Sequence, residues 1–157
     1  MAIEIERRFL VTGDEWRDGA TSIRVIQGFL STDKDRVVRV RIAGERGTLT
    51  IKGRTRDNRK HEFEYAIPHD DALDMLGRLC FRPLIEKQRF TLVHEGMLWV
   101  VDEFAGENQG LVLAEIELNA IDQVFPFPPW LGAEISSDPR YFNANLTIHP
   151  FCRWERK

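Results

Sequence analysis

Apolar and charged residues alternate along most of this chain, with the period of a β-strand whose two faces meet different surroundings. In the first such stretch, IEIERRFLV, the charged residues Glu4, Glu6 and Arg8 alternate with Ile3 and Ile5. The same alternation recurs in VVRVRI, LTIKG, HEFEYAI, LIEKQRF, WVVDEF and LAEIEL. The pattern therefore predicts a protein built mainly of strands.

Eight strands are predicted, several of them separated by short polar or glycine-containing turns of the hairpin type. They span residues 2–11, 22–31, 36–43, 47–53, 61–67, 85–94, 97–104 and 112–119. Helices are expected to be secondary, with a short one within 12–19, a stronger one at 68–79, a short one in AIDQVF (120–125) and a terminal one in DPRYFNANLTIHP (138–150). The segment TRDNRK (55–60) is predicted to be a solvated loop.

One face of the predicted strands carries charged residues almost exclusively, often in pairs of like sign. This face consists of Glu4, Glu6, Arg8, Arg39, Arg41, Lys52, Glu62, Glu64, Lys87, Arg89, Asp102, Glu115 and Glu117. The opposite face is mainly apolar, with Glu86, Gln88 and Glu103 as exceptions. An ordinary solvated sheet face carries a mixture of polar residues, and exposed ion pairs contribute only about 0–1 kcal/mol. Stability alone is therefore a poor reason for this pattern.

A sheet of about eight antiparallel strands that curls around the charged face forms a closed or partly closed barrel. Arginine and lysine suit phosphate oxygens, and clustered carboxylates suit Mg²⁺ or Mn²⁺. The predicted fold is therefore mainly β with peripheral helices (α+β), an eight-stranded barrel whose lumen binds a polyphosphate together with its metals.

Length and composition narrow the class of protein further. The 157 residues are 43% hydrophobic and 30% charged, which predicts one soluble globular domain over 1–157. The net charge of −3 gives no reason to expect nucleic acid as a partner. With no signal peptide and no long apolar run, we expect a cytoplasmic protein that does not bind membranes. The oligomeric state is not readable from the sequence.

The motif EIERRFL resembles the ExExK signature of the CYTH family, the triphosphate tunnel metalloenzymes. The motifs VRVR, TIKG, EFEY, IEKQR, VDEF and AEIEL follow in the order and rough spacing typical of that family, and the tail DPRYFNANL resembles its short bacterial members. The resemblance covers nearly the whole chain. It implies an antiparallel tunnel in which a bound triphosphate is hydrolysed with the help of a divalent metal, Mg²⁺ or Mn²⁺.

Inorganic triphosphate is the preferred small-molecule substrate, because the tunnel strands account for most of this short chain and leave little sequence for a base-recognition pocket. The products would be diphosphate and orthophosphate. Two alternatives stay open. One is a hydrolase or cyclase acting on an organic triphosphate such as ATP or thiamine triphosphate, and the other is a non-catalytic protein that binds polyphosphate or nucleotide.

The charged face divides into three predicted roles. The metal ligands are expected from the first and last strands, which become neighbours if the sheet closes: Glu4, Glu6, Glu115 and Glu117. The phosphate binders are expected to be Arg39, Arg41, Lys52, Lys87 and Arg89. The remaining acidic residues, Glu62, Glu64 and Asp102, are predicted to hold a second metal or position water, with salt bridges across the lumen as the alternative.

Arg8 is the departure from the family signature, which usually has lysine at this position. Lysine is able to transfer a proton when its pKa is depressed, whereas arginine in practice is not. Arg8 is therefore placed among the catalytic residues either as a phosphate contact or as a group that orients neighbouring carboxylates. If proton transfer is needed at this position, another group must supply it.

Overall fold

The computed structural model describes the backbone of residues 2–54 and 60–155 and the side chains of 5–54 and 60–155. Of the predicted loop at 55–60, all but Lys60 lies outside the described residues. The strands are β1 (Ala2–Glu4), β2 (Glu6–Val11), β3 (Thr21–Asp33), β4 (Arg36–Ala43), β5 (Arg46–Arg54), β6 (Lys60–Ile67), β7 (Ile85–His94), β8 (Met97–Phe104), β9 (Val112–Glu117) and β10 (Leu131–Glu134). Two α-helices accompany them, α1 (His69–Arg78) and α2 (Asn143–Ile148).

The predicted strands are present, but the first one is not continuous. The chain between Ala2 and Val11 is interrupted at Ile5, so it forms two strands instead of one. The strand β10 was not predicted, because the sequence LGAE contains little alternation and only four residues. Within the described residues, the sheet therefore has ten strands where eight were expected.

Three of the four predicted helices have counterparts, and one is wrong. The segment 12–19 contains a 3₁₀ turn at Glu15–Arg17, and the terminal segment is a six-residue α2 flanked by 3₁₀ turns. No helix forms at 120–125, which is bent and extended in the structure. The prolines at 126, 128 and 129 restrict the backbone there and remove amide donors, which opposes helix propagation.

All ten strands belong to one antiparallel sheet in the order β1-β6-β5-β4-β3-β7-β8-β9-β2-β10. The strand β1 pairs with β6 at one end of this order, while β2 pairs with β9 and β10 near the other end. Because β1 and β2 are joined through Ile5, the chain itself connects the two ends of the curled sheet. The backbone oxygen of Ile5 accepts a hydrogen bond of 2.8 Å from Leu118 N. The sheet is thus a partly closed tunnel, as predicted.

The outside of the tunnel is covered by two apolar layers. The helix α1 packs Ala72 and Leu76 against Val40 and Ile42 of β4. On the other side, the segment 125–130 folds back over β2, β8 and β9. Its residues Phe125 and Trp130 make edge-to-face contacts with the fully buried Trp99. These layers bury the apolar parity of the strands, which leaves the charged parity facing the lumen.

The lumen-facing positions become apolar at one end of several strands. Arg8 is followed two residues later by Leu10, Lys87 is preceded by Ile85, and Glu115 is preceded by Leu113. The apolar end of the tunnel consists of Leu10, Phe29, Ile85, Phe104 and Leu113, and α2 packs its fully buried Leu146 against this set. The terminal helix is therefore held by hydrophobic contact inside one end of the sheet.

Glycine is required at position 28 of β3, where the connection between α1 and β7 crosses the sheet. A methyl group there would lie 2.7 Å from Cys80 Cβ and 2.8 Å from both Cys80 Sγ and Leu84 Cδ2. The backbone of this connection is also fixed, since Phe81 N donates to Phe29 O at 3.0 Å. The crossing is therefore too close for any side chain at position 28.

We expect Gly28→Ala to lower the free energy of unfolding by about 1–3 kcal/mol, because the added methyl overpacks this crossing. Gly77→Ala is the matched control, since Gly77 is exposed within α1 and no atom lies within 4 Å of the position that an added methyl group would take. That change should raise stability by about 0.5–1 kcal/mol through helix propensity. Urea unfolding of both variants measures the difference. Equal stability of Gly28→Ala and the wild type would contradict the tight crossing.

Candidate active site

The lumen contains a cavity of about 340 Å³ lined mainly by charged side chains. Six strands contribute charged residues predicted for the site: Glu6, Arg8, Arg39, Arg41, Lys52, Glu62, Glu64, Lys87, Arg89, Glu115 and Glu117. The structure thus brings together residues that are far apart in the sequence. Asp102 does not line this cavity, because it is buried beneath the lumen cations, and the side chain of Glu4 lies outside the described residues.

Asp102 is the buried counter-ion of two lumen cations, Lys87 and Arg89. Lys87 Nζ lies 2.8 Å from its Oδ2 atom, and Arg89 donates two hydrogen bonds of 2.8 and 2.9 Å to the same carboxylate. Arg89 and Asp102 are directly opposite each other in the β7–β8 register, so the sheet itself sets this pair. Asp102 thus forms salt bridges, but with cations of the neighbouring strand β7 and not across the lumen; it is only 2% exposed and does not line the cavity.

Burial and neighbouring charges shift the pKa values of this group in opposite directions. Burial lowers the pKa of Lys87 to about 7, assisted by Arg89 and Arg41 and opposed by Asp102. Burial alone would raise the pKa of Asp102, but the charges and hydrogen bonds of Lys87 and Arg89 outweigh it and hold that pKa well below its usual range. The pKa of Arg89 is raised, because the hydrogen bonds and charge of Asp102 outweigh the opposing effect of burial. Asp102 therefore stays ionised and compensates the buried cations.

A second pair of charges is set by the β2–β9 register, in which Arg8 is opposite Glu115 and Glu6 is opposite Glu117. Arg8 Nε lies 3.9 Å from Glu115 Oε2, and Arg8 is only 6% exposed. Burial raises the pKa of Glu115, but Arg8 and Arg89 overcome this effect and lower it. Glu115 is consequently a carboxylate, not a carboxylic acid, at neutral pH.

Across the lumen, Glu64 is held by neighbours on β4 and β5. Thr50 Oγ1 donates to Glu64 Oε2 at 3.2 Å, and Arg39 donates to Thr50 Oγ1 at 3.2 Å. Arg39 also lies 3.9 Å from Glu64 Oε2. Glu62 lies on the same strand and lines the same cavity. The two predicted acidic residues of β6 therefore face the β2–β9 carboxylates across a space lined by cations.

Neutral amides connect the cations, and the sequence analysis missed them. Gln27 is fully buried, and its side chain accepts from Arg41 Nε at 2.8 Å. Asn143 on α2 accepts from Gln27 Nε2 at 2.8 Å and from Lys87 Nζ at 3.0 Å. Gln27 occupies a lumen-facing position of β3, where a polar residue between Val25 and Phe29 was the available signal. Asn143 had no such signal, since its partners are more than 50 residues away.

The exceptions to the alternation lie on the outside of the tunnel. Glu86 pairs with Arg24 at 3.4 Å, Glu103 pairs with Arg17, and Gln88 Nε2 donates to Ser22 Oγ at 3.0 Å. These residues have the parity that faces away from the lumen. They are therefore surface polar groups with local partners, separate from the charged cavity.

The donor set of the lumen fits a divalent metal. Among the described side chains, no three His, Cys, Asp or Glu residues converge closely enough to hold an ion by themselves. Mg²⁺, however, takes one or two carboxylates and completes its shell with water and substrate phosphates. Cross-strand neighbours such as Glu6 and Glu117, beside cations suited to phosphate, provide this kind of oxygen-only arrangement.

Fold and site together define an antiparallel β-tunnel protein with a lumen of opposed carboxylates and cations. The family model of the CYTH domain matches residues 2–147. The chain belongs to the CYTH-domain family. Membership of this family of triphosphate tunnel metalloenzymes implies a divalent metal.

Three relatives illustrate the similarity. An inorganic triphosphatase of Acetivibrio thermocellus is 46% identical over 151 residues, which are 96% of this chain and 97% of that protein. An inorganic triphosphatase of Nitrosomonas europaea is 34% identical over 92% of this chain and 97% of that protein. The crystal structure of the inorganic triphosphatase NE1496 superposes with a TM-score of 0.69 at 32% identity, covering 94% of this chain and 96% of that one.

Neither helix in the described part of this chain has the length and apolar character needed to cross a bilayer.

We expect Asp102→Asn to lower the free energy of unfolding by about 3 kcal/mol, because Lys87 and Arg89 lose their buried counter-charge. The matched control is Glu86→Gln, which neutralises a carboxylate on the same β7–β8 hairpin. Its partner Arg24 is exposed, so the control should cost less than about 1 kcal/mol. Urea unfolding at pH 7 compares the two. If both variants lost the same amount, the buried compensation by Asp102 would be disproved.

Proposed function

We propose that this protein is a divalent-metal-dependent triphosphatase that hydrolyses inorganic triphosphate to diphosphate and orthophosphate inside the tunnel. The observation that carries the proposal is the cavity in which Arg39, Arg41, Lys52, Lys87 and Arg89 face carboxylates of β2, β6 and β9. The names of the relatives at 46% and 34% identity support the same activity. A phosphoanhydride with its divalent metal uses both kinds of group, since its phosphates suit the cations and its metal suits the carboxylates.

The cations bind and orient the phosphate chain. Arginine grips two oxygens of a phosphate at once, whereas lysine supplies a point charge. Lys87 and Arg89 are already fixed by Asp102, so little reorganisation is needed when the substrate arrives. In phosphoryl transfer, positioning and electrostatic stabilisation provide most of the catalysis. The five cations are therefore proposed to neutralise charge that spreads over the phosphate oxygens in the transition state.

Glu6, Glu115 and Glu117, with the predicted Glu4, are proposed to hold the metal. When bound, a divalent ion neutralises phosphate charge and acts as a Lewis acid toward the phosphate oxygens. Either Mg²⁺ or Mn²⁺ suits these oxygen donors. Glu62 and Glu64 on the opposite wall are proposed to orient the attacking water or to bind a second ion, and the contacts of Glu64 with Thr50 and Arg39 keep its carboxylate in place.

Arg8 is proposed to orient Glu115 and contact phosphate. Its guanidinium is buried beside the Glu115 carboxylate, and arginine side chains in proteins do not act as general bases or acids. We therefore propose an electrostatic role for Arg8 instead of proton transfer. The position usually taken by lysine in the family signature is, in this chain, an electrostatic one.

Inorganic triphosphate is preferred over nucleotides because of the size and lining of the cavity. Its volume of about 340 Å³ lies at the lower end of the usual range for small-molecule sites. Most of its lining side chains are charged, which suits phosphate better than a base. The sequence-based expectation that this short chain leaves little sequence for a base-recognition pocket points to the same substrate.

Phosphate release by the metal-stripped protein tests the proposal, with Mg²⁺ or Mn²⁺ added back and inorganic triphosphate, ATP and thiamine triphosphate assayed side by side. We expect metal-dependent release that is fastest with inorganic triphosphate. Chelation with EDTA should abolish it. Tight binding of inorganic triphosphate without release from any of the three substrates would instead show a binding protein.

Two single variants should separate the metal role from the phosphate role. Arg39→Ala should weaken inorganic triphosphate binding by about tenfold or more, because it removes a charged donor. Glu6→Gln should lower kcat by about tenfold or more while the metal-free affinity for triphosphate stays within about threefold of the wild type. Calorimetry in EDTA and phosphate-release kinetics measure the two effects. Equal binding by Arg39→Ala and the wild type would disprove the phosphate role of Arg39.

Arg8→Lys should retain turnover with an unchanged pH profile, because the positive charge beside Glu115 is preserved. Arg8→Met, which keeps much of the side-chain length without the charge, should lower kcat by about tenfold or more. Both are measured as kcat against pH with the metal present. A new ionisation in the profile of Arg8→Lys, together with faster turnover, would show that position 8 has a proton-transfer role after all.

A further inference from the structure

Asn143 is the point at which the terminal helix α2 contacts the cations of the lumen. Its side chain lines the cavity, and its Oδ1 atom accepts hydrogen bonds from both Lys87 Nζ and Gln27 Nε2. The same helix is anchored by Leu146, which is fully buried at the apolar end of the tunnel. Asn143 is therefore held from its own helix, from β3 and from β7.

The orientation of the Asn143 amide follows from the donors around it. Arg41 Nε has only a hydrogen to offer, so the Gln27 atom 2.8 Å away must be its oxygen. The nitrogen of Gln27 then faces Asn143, so the atom it meets there must be an acceptor. Protonated Lys87 is also only a donor, which requires the same Asn143 atom to be oxygen.

This leaves the Nδ2 group of Asn143 as a donor on a cavity-lining side chain. Its two hydrogens have no hydrogen-bond acceptor among the residues that the structure describes, although its oxygen has two donors. Phosphate oxygens only accept hydrogen bonds from donors of this kind. The amide is thus fixed on one side and available to an anion on the other.

We propose that Asn143 is a substrate-binding residue, whose Nδ2 donates a hydrogen bond to a phosphate oxygen while its Oδ1 holds Lys87 and Gln27 in place. This inference rests on the proposed function, since it assigns a further contact for the same triphosphate. It adds a neutral donor to a site otherwise dominated by charged ones. It also makes the docked position of α2 part of the binding site.

The neutral amide is suited to this position for an electrostatic reason. Burial lowers the pKa values of Lys87 and Arg41, and repulsion between cations adds to it: Arg89 and Arg41 act on Lys87, and Arg39 and Arg89 act on Arg41. Another cation next to Lys87 would increase that repulsion. An amide donates to phosphate without adding charge, and its oxygen partly offsets the charge on Lys87.

Asn143→Asp is the informative variant because it separates the two sides of the amide. Aspartate has nearly the same shape and keeps an acceptor for Lys87 and Gln27, but it places a negative oxygen where Nδ2 was. Asn143→Ala removes both sides. Ile148→Asp is the charge-matched control, since it adds the same charge at an exposed position of α2 outside the cavity lining.

Calorimetric titration with inorganic triphosphate in EDTA measures binding without turnover, and thermal unfolding monitors the fold. We expect Asn143→Ala to bind about tenfold more weakly than the wild type and Asn143→Asp to bind more weakly than Asn143→Ala. The melting temperature of Asn143→Asp should stay within about 2 °C of the wild type. Ile148→Asp should bind within about threefold of the wild type.

Wild-type affinity in Asn143→Asp would overturn the inference, because no phosphate oxygen then meets Nδ2. If Asn143→Ala were weak in that case, Asn143 would only position Lys87. Equal weakening in Ile148→Asp would overturn it too, since added charge alone would explain the loss. Failure of the wild-type protein to bind inorganic triphosphate would refute the proposed function itself, an outcome distinct from the other three.

Discussion

The tunnel depends on keeping several cations together in a wall from which water is largely excluded. Lys87, Arg41 and Arg89 repel one another there, and burial further disfavours the charged form of each. The ionised carboxylate of Asp102 makes the arrangement stable, and the β7–β8 register places it directly opposite Arg89. The site is therefore organised before any ligand enters, and a polyanion relieves repulsion that the fold already contains.

The rest of the fold provides the dry and rigid wall that this arrangement requires. The α1 layer and the 125–130 segment bury the outer face of the sheet. At one end of the lumen, the apolar residues of the tunnel pack against Leu146 of α2. Polar groups on the outer parity, such as Glu86 and Glu103, pair locally and leave the lumen charges undisturbed. The charged lumen is therefore a property of one side of a single sheet.

Alternation in the sequence predicted the charged lumen because strand parity is local and needs only a few residues to read. The burial of a lumen-facing side chain depends on neighbours from distant parts of the chain. Parity therefore did not distinguish the buried Asp102 from the cavity-facing Glu115. Asn143 was not predicted because its oxygen joins Gln27 and Lys87, which lie far away in the chain. The break at Ile5 was hidden for a related reason, since both halves of the segment keep the same alternation while pairing with different strands.

That break has a mechanical consequence. Residues 4 and 6 of the ExE motif lie on β1 and β2, which belong to opposite ends of the strand order. The single residue Ile5 therefore joins the two ends of the tunnel wall. The two ends of the sheet therefore cannot separate further than the two peptide units around Ile5 allow, whatever happens to the hydrogen bonds beside them.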